Sequence, residues 1–356
     1  MRAVNAPLQI EEVALAAPNP REVRVRTVAS GVCHSDLHVL VGDNPWELPV
    51  VLGHEPAGVV EAVGSEVRAV APGDHVVACS SAFCGVCDFC AQGRTYLCGG
   101  MATLRGPGEP PRLSQKGVPV GQFAYLSSFA EEMLLHENSV VAIRKDMPLD
   151  RASLLGCGVL TGVGAVLNTA RLRPGETAVV IGCGGVGLSV IQGCRIAGAS
   201  RIIAVDTLDW KLELARKLGA TDGVLASGRD TAGRVAELSR GGVDYAFECI
   251  GNRGAIPDAV AMLRSGGSCL LLGLMPVGSR FELPGFDLVL GAKSVRGSLM
   301  GSNQFRVDIP RLVEFYLSGA LNLDDMISER VALSGINAAF DAMVQGRAAR
   351  SVVTFG

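Results

Sequence analysis

The sequence predicts an α/β protein in which a doubly wound parallel sheet is joined to a second, mainly β domain. Three observations predict it. From about residue 176 an apolar strand, a glycine turn and an amphipathic helix recur in that order. Before about residue 155 short apolar alternations are broken by Gly, Pro and Asp. A G-x-G-x-x-G run also stands where the first strand of the later region meets its helix. The later rhythm is that of stacked βαβ units, and the earlier one that of hairpins and loops.

In the first region EVRVRTVAS, AGVVEAVG and PGDHVVACS read as strands and turns, and helices are scarce. The opening MRAVNAPLQIEEVALAAP alternates like a strand and carries acids where an export signal needs an apolar run. Residues 105–121, RGPGEPPRLSQKGVPVG, read as a Pro/Gly-rich loop. The second region runs ETAVVIG, VGLSVIQGCRIAGA, RIIAVD, LDWKLELARKLGA and DGVLA. It continues through VDYAFECIG, GAIPDAVAMLRSGG, SCLLLGL and KSVRGSL, giving about six buried strands. After residue 300 come one helix, IPRLVEFYLSGAL, and strand-like pieces ending in RSVVTFG, a tail expected to return to the first domain. The expected division is thus 1–157 with 300–356, and 158–299.

Composition narrows the classes. A chain of 356 residues, 48% hydrophobic and 19% charged, is long enough for two globular domains. A net charge of -3 without a basic block, with only 5% aromatics, argues against nucleic acid as a partner. No stretch approaches the roughly 18–20 apolar residues of a membrane span. Eleven cysteines, an odd number, fit reduced thiols and metal ligands better than a disulfide framework, so a cytoplasmic location is expected.

Four of those cysteines carry a specific message. Cys84, Cys87, Cys90 and Cys98 are separated by two, two and seven residues inside one loop-like segment. A chain returning every third residue can place three thiolates on one side of a Zn²⁺ ion, and the fourth then closes the tetrahedron. This is a structural zinc site by its spacing. Cys33, His54 and Cys157 form a second, dispersed set. Taken singly they read equally well as a core thiol, a turn histidine and a packing residue. Together they leave one tetrahedral position open, the arrangement of a catalytic zinc.

The glycine run is Gly182-Cys183-Gly184-Gly185-Val186-Gly187. Its first glycine permits the tight turn, its second lets a pyrophosphate approach the backbone, and its third lets helix and strand pack. Asp206 ends the next strand about twenty residues on, where a carboxylate accepts both hydroxyls of an adenosine ribose. A 2'-phosphate there would meet like charge, and Thr207 and Leu208 supply no arginine, so NAD is favoured over NADP.

The stretches GVCHSDLHVLVGD, LPVVLGHEPAGVVEAVG, PGDHVV, CGVCDFC with Cys98, GCGVLTG, VVIGCGGVGLSVIQG, IIAVD and RSVVTF resemble, in order and spacing, the zinc-containing medium-chain alcohol dehydrogenases. The resemblance covers essentially the whole length. It implies a Rossmann domain for NAD and a GroES-like catalytic domain. It implies two zinc ions per chain, one on Cys33, His54 and Cys157 and one on Cys84, Cys87, Cys90 and Cys98. Glu55 matches the acidic residue behind the catalytic metal, and Asp36 the carboxylate that orients His54. Ser35 and His38 match a proton relay running from the substrate oxygen, by way of the nicotinamide ribose, to an imidazole near the surface. Gly182, Gly184, Gly185, Val186 and Gly187 match the residues around the pyrophosphate and nicotinamide. Asp206 and Lys211 match those on the adenosine ribose, Thr161 one near the nicotinamide, and His34 and Arg350 a basic pair on the pyrophosphate.

The implied reaction is reversible hydride transfer between a primary or secondary alcohol and NAD. Ser80 stands where liver-type relatives carry an aromatic wall, which leaves room for a bulky or ring-bearing alcohol. Asn44 and Trp46 flank the same pocket, and residues 99–125 shape its mouth. Two alternatives remain: a formaldehyde dehydrogenase acting on a thiol adduct, and a non-catalytic NAD(H)-binding redox sensor. A zinc-free quinone reductase would lack both cysteine sets, and polyol enzymes usually put glutamate at the position of Cys157. The other cysteines, Cys79, Cys183, Cys194, Cys249 and Cys269, read as buried. The strand KSVRGSLM matches the edge along which the family's dimers pair, so a homodimer is expected, with a homotetramer as the alternative.

Overall fold

The computed structural model describes residues 1–226 and 230–356. The chain forms two compact units. The first comprises Met1–Gly158, Asn303–Gly319 and Ile327–Gly356; the second comprises Val159–Ser302 and Ala320–Met326. No single helix among the described residues is long and apolar enough to cross a membrane.

The first unit is built on a sheet ordered Ile327–Val331, Arg350–Thr354, Glu22–Gly31, Pro56–Val63, His75–Ala78 and Val140–Ala142, with Glu132–His136 also paired to Glu22–Gly31. The alternation EVRVR explains the central strand. Val23 and Val25 enter a core with Val60, Val76, Met133 and Leu135. Arg24 instead reaches Glu132 at 2.6 Å on the outer face. Each such apolar side chain contributes roughly 1.5–3 kcal/mol on burial.

A smaller sheet, ordered Ala14–Leu15, Leu113–Gln115, Val118–Gln122 and Val50–Val51, departs from the sequence reading twice. Only Ala14–Leu15 of the opening segment is a strand, because the backbone before it finds isolated partners rather than a ladder: Asn5 donates to Leu40 and Leu8 to Asn337. Residues 105–121 are not simply a loop. They contain a hairpin turned by Lys116-Gly117, whose φ values of 49° and 80° are the paired positive angles of a tight turn matched to strand twist.

In the second unit six parallel strands lie in the order Asp222–Leu225, Arg201–Asp206, Thr177–Ile181, Val243–Glu248, Leu263–Leu271 and Ser294–Gly297. This is the doubly wound arrangement, and its reversal point lies beside Thr177–Ile181, the strand that leads into the glycine run. Val179, Ile203, Val205, Val224 and Ala246 fill its core. The last strand is more exposed than the expected buried run, because it has a partner on one side only.

The tail also differs in one piece from the expected division: Ala320–Met326 belongs to the second unit. Gln192 is fully buried in the helix Gly185–Ile196 and needs partners for its amide. Asn322 supplies them, accepting from Nε2 at 3.0 Å through its carbonyl and donating its N–H to Oε1 at 2.7 Å.

Candidate metal and dinucleotide sites

Cys33 leaves the central strand in extended conformation and caps the helix His34–Leu40. The strand is held at this point by Arg350–Thr354, and Val32 donates to the Ser351 carbonyl at 3.0 Å. Gly53 precedes His54 with a φ of +91°, and a Cβ there would meet the Phe129 nitrogen at 2.5 Å, so only glycine makes this turn without strain. Cys157 follows the turn Ser153–Gly156, where Gly156 runs against the Ala78 carbonyl without room for a side chain.

These elements bring Cys33, His54, Glu55 and Cys157 together, all buried, with one ligand atom from each within 4.8 Å of all the others. His54 Nδ1 stands 3.1 Å from Asp36 Oδ2, and Asp36 Oδ1 accepts from Gly53 N at 2.8 Å. His54 Nε2 finds no hydrogen-bond partner in the protein. A buried, orphaned imidazole nitrogen beside two thiols is the donor set of a soft or borderline divalent cation, so the residues fit zinc.

The electrostatics agree. The Cys33 thiol is drawn well below its usual range by a hydrogen bond from Cys157, with the charge on His54 adding to it against the effect of burial. Cys157 is pushed well above by the same bond and by burial. Burial opposes charge on His54, but the Asp36 carboxylate and Cys33 outweigh it and hold the imidazole near about 10. The site therefore favours positive charge, and a cation taken up by the set would displace the protons of Cys157 and His54.

Behind this set Arg350 forms a buried ion pair with Glu55. Gly31 has no side chain because a Cβ would collide with the Glu55 carboxylate. Arg350 is thus engaged on the protein side, while His34 is exposed at the start of its helix. Ser35 Oγ lies 3.7 Å from Cys33 Sγ. His38 is met through Nδ1 by Asp43 at 3.1 Å.

Of the expected pocket residues, Asn44 donates its backbone N–H to the His38 carbonyl at 3.0 Å, and Ser80 is half-buried after the strand His75–Ala78. Trp46 packs edge-on against Phe123 with centroids 5.0 Å apart, and Phe123 meets His54 edge-on at 5.4 Å. Neither Phe123 nor Asp43 was singled out by the sequence. The available signal was an aromatic residue inside the segment expected to shape the mouth, and an acid five residues after the histidine expected to end the relay.

The second thiol set is equally compact. Cys84, Cys87, Cys90 and Cys98 offer sulfurs within 4.8 Å of one another. The Cys87–Cys90 and Cys84–Cys90 separations of 3.6 and 3.9 Å suit the edge of about 3.8 Å that follows from a tetrahedron with Zn–S near 2.3 Å. Backbone N–H groups of Val86 and Cys87 hold Cys84 near about 6.

In the second unit Gly182 has a φ of +91° and would put a Cβ 2.6 Å from Ile250 Cγ1, while a Cβ on Gly187 would strike the Gly182 carbonyl. Gly184, by contrast, faces open space with nothing within 4 Å, the clearance a pyrophosphate needs. Gly185 and Val186 begin the helix. Asp206 Oδ2 accepts from Cys183 N at 2.7 Å and Oδ1 from Leu208 N at 3.1 Å. Lys211 Nζ sits over the Trp210 ring at 5.7 Å, and Thr161 is buried with Oγ1 3.7 Å from Met300 Sδ.

Residues 19–145 match the alcohol dehydrogenase GroES-like domain family, and residues 185–318 match the zinc-binding dehydrogenase family. An S-(hydroxymethyl)glutathione dehydrogenase of Saccharomyces cerevisiae is 40% identical, aligned over 98% of this chain and 93% of that one. The chain belongs to the zinc-containing medium-chain alcohol dehydrogenases. The class-3 alcohol dehydrogenase of Myxine glutinosa is likewise 40% identical, over 98% of this chain and 94% of its own. The crystal structure of benzyl alcohol dehydrogenase from Acinetobacter calcoaceticus superposes with a TM-score of 0.94 at 32% identity, covering 100% of this chain and 98% of that one. The protein is therefore an NAD-dependent oxidoreductase of the alcohol dehydrogenase type, with zinc and NAD as cofactors.

Proposed function

We propose that this dehydrogenase acts on a neutral, ring-bearing or branched alcohol, interconverting it with the aldehyde or ketone, and that Cys33, His54 and Cys157 hold its catalytic zinc. The observation that carries the substrate reading is the aromatic wall. The Phe123 ring stands perpendicular to that of His54, and Trp46 in turn lies edge-on to Phe123. Such a wall offers a flat substrate an aromatic partner beside a metal ligand.

Bound zinc supplies the Lewis acidity that makes a substrate hydroxyl acidic near neutral pH, and NAD supplies the hydride acceptor. The chain's own residues do the rest. Asp36 orients His54, Ser35 takes the hydroxyl proton, and His38 carries it toward water, a task suited to an imidazole. Cys84, Cys87, Cys90 and Cys98 hold the second, structural zinc. Asp206 and Lys211 take the adenosine ribose, the Gly182–Gly187 turn takes the pyrophosphate, and Thr161 lies toward the nicotinamide. In this reading the first unit is the catalytic domain and the second the NAD domain.

The thiol-adduct alternative is weakened by charge. S-(hydroxymethyl)glutathione, named for the yeast relative, carries two carboxylates and needs cations to receive them. Arg105 and Arg112 of the mouth segment are both committed to buried Glu22, each at 2.6 Å, which leaves Lys116 as that segment's one cation for two carboxylates.

The test is a screen of the zinc-replete enzyme with NAD⁺ against linear, branched, benzylic and alicyclic alcohols and a formaldehyde–glutathione mixture. Preference for ring-bearing or branched alcohols, lost in Phe123→Ala, supports the reading. Turnover confined to short linear alcohols or to the adduct overturns it. The edge strand Ser294–Gly297, with Phe286, Val289 and Leu290 exposed beside it, supports a homodimer, checked by sedimentation. All eleven cysteines are free thiols, which supports a cytoplasmic location.

A further inference from the structure

The helix His34–Leu40 ends at Val41, and the chain turns back at Gly42, which has a φ of +86°. Asn44 closes this return by donating to the His38 carbonyl at 3.0 Å. The return brings Asp43 to His38, with Oδ2 3.1 Å from Nδ1. Both groups are partly open to solvent, with side-chain exposures of 39% and 22%. A carboxylate can only accept, so the proton of the neutral ring sits on Nδ1 and the lone pair on Nε2. Without such a partner an imidazole places its proton on either nitrogen, and half of its readiness to receive a proton at a given atom is lost.

We propose that Asp43 is a positioning residue of the proton relay, holding His38 in the tautomer that accepts at Nε2 and steadying the imidazolium that results. The proposal rests on the relay role given to His38 above. In the step, an O–H bond of the group preceding His38 breaks, its electron pair stays on oxygen, and an N–H bond forms at Nε2. The imidazolium then gives one proton to water or buffer. Nothing is oxidised or reduced, and Asp43 stays ionised throughout. Because the pair is half-exposed, its loss costs about 5- to 10-fold in rate, less than the roughly 100-fold of removing a general base outright.

The experiment measures transient NADH formation by the zinc-replete holoenzyme with NAD⁺ and benzyl alcohol as the probe, for the wild type, Asp43→Asn, Asp43→Glu, His38→Gln and the Asp43→Asn/His38→Gln double variant. Asp43→Asn should slow the burst about 5- to 10-fold with KM and zinc content unchanged, and triethanolamine buffer should accelerate this variant more than the wild type. Asp43→Glu should recover most of the rate, and the double variant should be no slower than His38→Gln alone. A normal burst in Asp43→Asn while His38→Gln is slow overturns the proposal and leaves the relay standing. A normal burst in His38→Gln removes the relay reading and this proposal with it. Loss in Asp43→Asn accompanied by lost zinc or raised KM, without a response to added base, marks a structural role and also overturns it.

Discussion

Arg350, in the strand Arg350–Thr354, is buried against Glu55, the residue that follows the zinc-set histidine. Neither partner has access to solvent, so each depends on the other for charge balance. Arg350→Met strands a buried carboxylate and should cost about 3–5 kcal/mol. Glu55→Gln added to the same chain should recover most of that loss. Denaturant midpoints of the zinc-loaded, NAD-free variants measure both, and equal midpoints for the single and double variants would show that the pair is not coupled.

The thiol lobe makes a prediction about metal count. Cys98→Ser should lower bound zinc from two ions per chain to one, the catalytic set being left intact. Atomic absorption on the desalted protein reads this directly. Retention of both ions would mean that three thiols suffice.

Asp206 holds the glycine turn and, in the proposed reading, also receives the adenosine ribose, and substitutions should separate the two. Asp206→Gly removes the ribose acceptor and the bond to Cys183 N, so NAD affinity should fall roughly 10- to 100-fold, as loss of charged hydrogen bonds implies. Discrimination against NADP should relax. Asp206→Asn keeps an acceptor for the glycine turn and should preserve more of the NAD affinity than Asp206→Gly. Quenching of protein fluorescence by each cofactor gives the constants.

Glu22 should govern acid stability. Burial alone would raise its pKa, but hydrogen bonds from Arg105, Asn19 and Arg112 win and bring it down from 4.5 to about 2. A carboxyl depressed in the folded state stabilises it above the unfolded value and loses that contribution as pH falls toward the folded one. The protein should therefore lose on the order of 3 kcal/mol of this group's contribution between about pH 5 and pH 2. Glu22→Gln should be less stable at neutral pH and flatter across that window, as read from thermal midpoints at a series of pH values.

What the sequence made legible divides by the kind of physics involved. The four-thiol lobe and the glycine run with Asp206 were readable because fixed spacing dictates where the ligand atoms fall. The parallel sheet was readable from buried runs such as TAVVI and RIIAVD. Residues 105–121 misled because Pro and Gly suggest a loop, whereas Lys116-Gly117 supplies the two positive φ angles of a hairpin. Phe123 and Asp43 were not readable in their roles. Phe123 reaches His54 only through the turn that follows the hairpin, and Asp43 reaches His38 only because Gly42 reverses the chain. Ala320–Met326 went to the second unit because it answers the buried amide of Gln192 and is met by Arg195 and Lys217, partners that no local pattern announces.

The position of Arg350–Thr354 in its sheet has a consequence for synthesis. It lies between Ile327–Val331 and Glu22–Gly31, and the strand Glu22–Gly31 leads into Cys33. On the ribosome, residues 159–302 emerge complete while the first 158 still lack this neighbour. The half of the protein that is translated first is the half that closes last. Until then the last three residues of that edge, Ala29–Gly31, are open, and a nascent chain stalled short of residue 350 presents them, with a zinc-seeking thiol close by, to whatever else the cell is making.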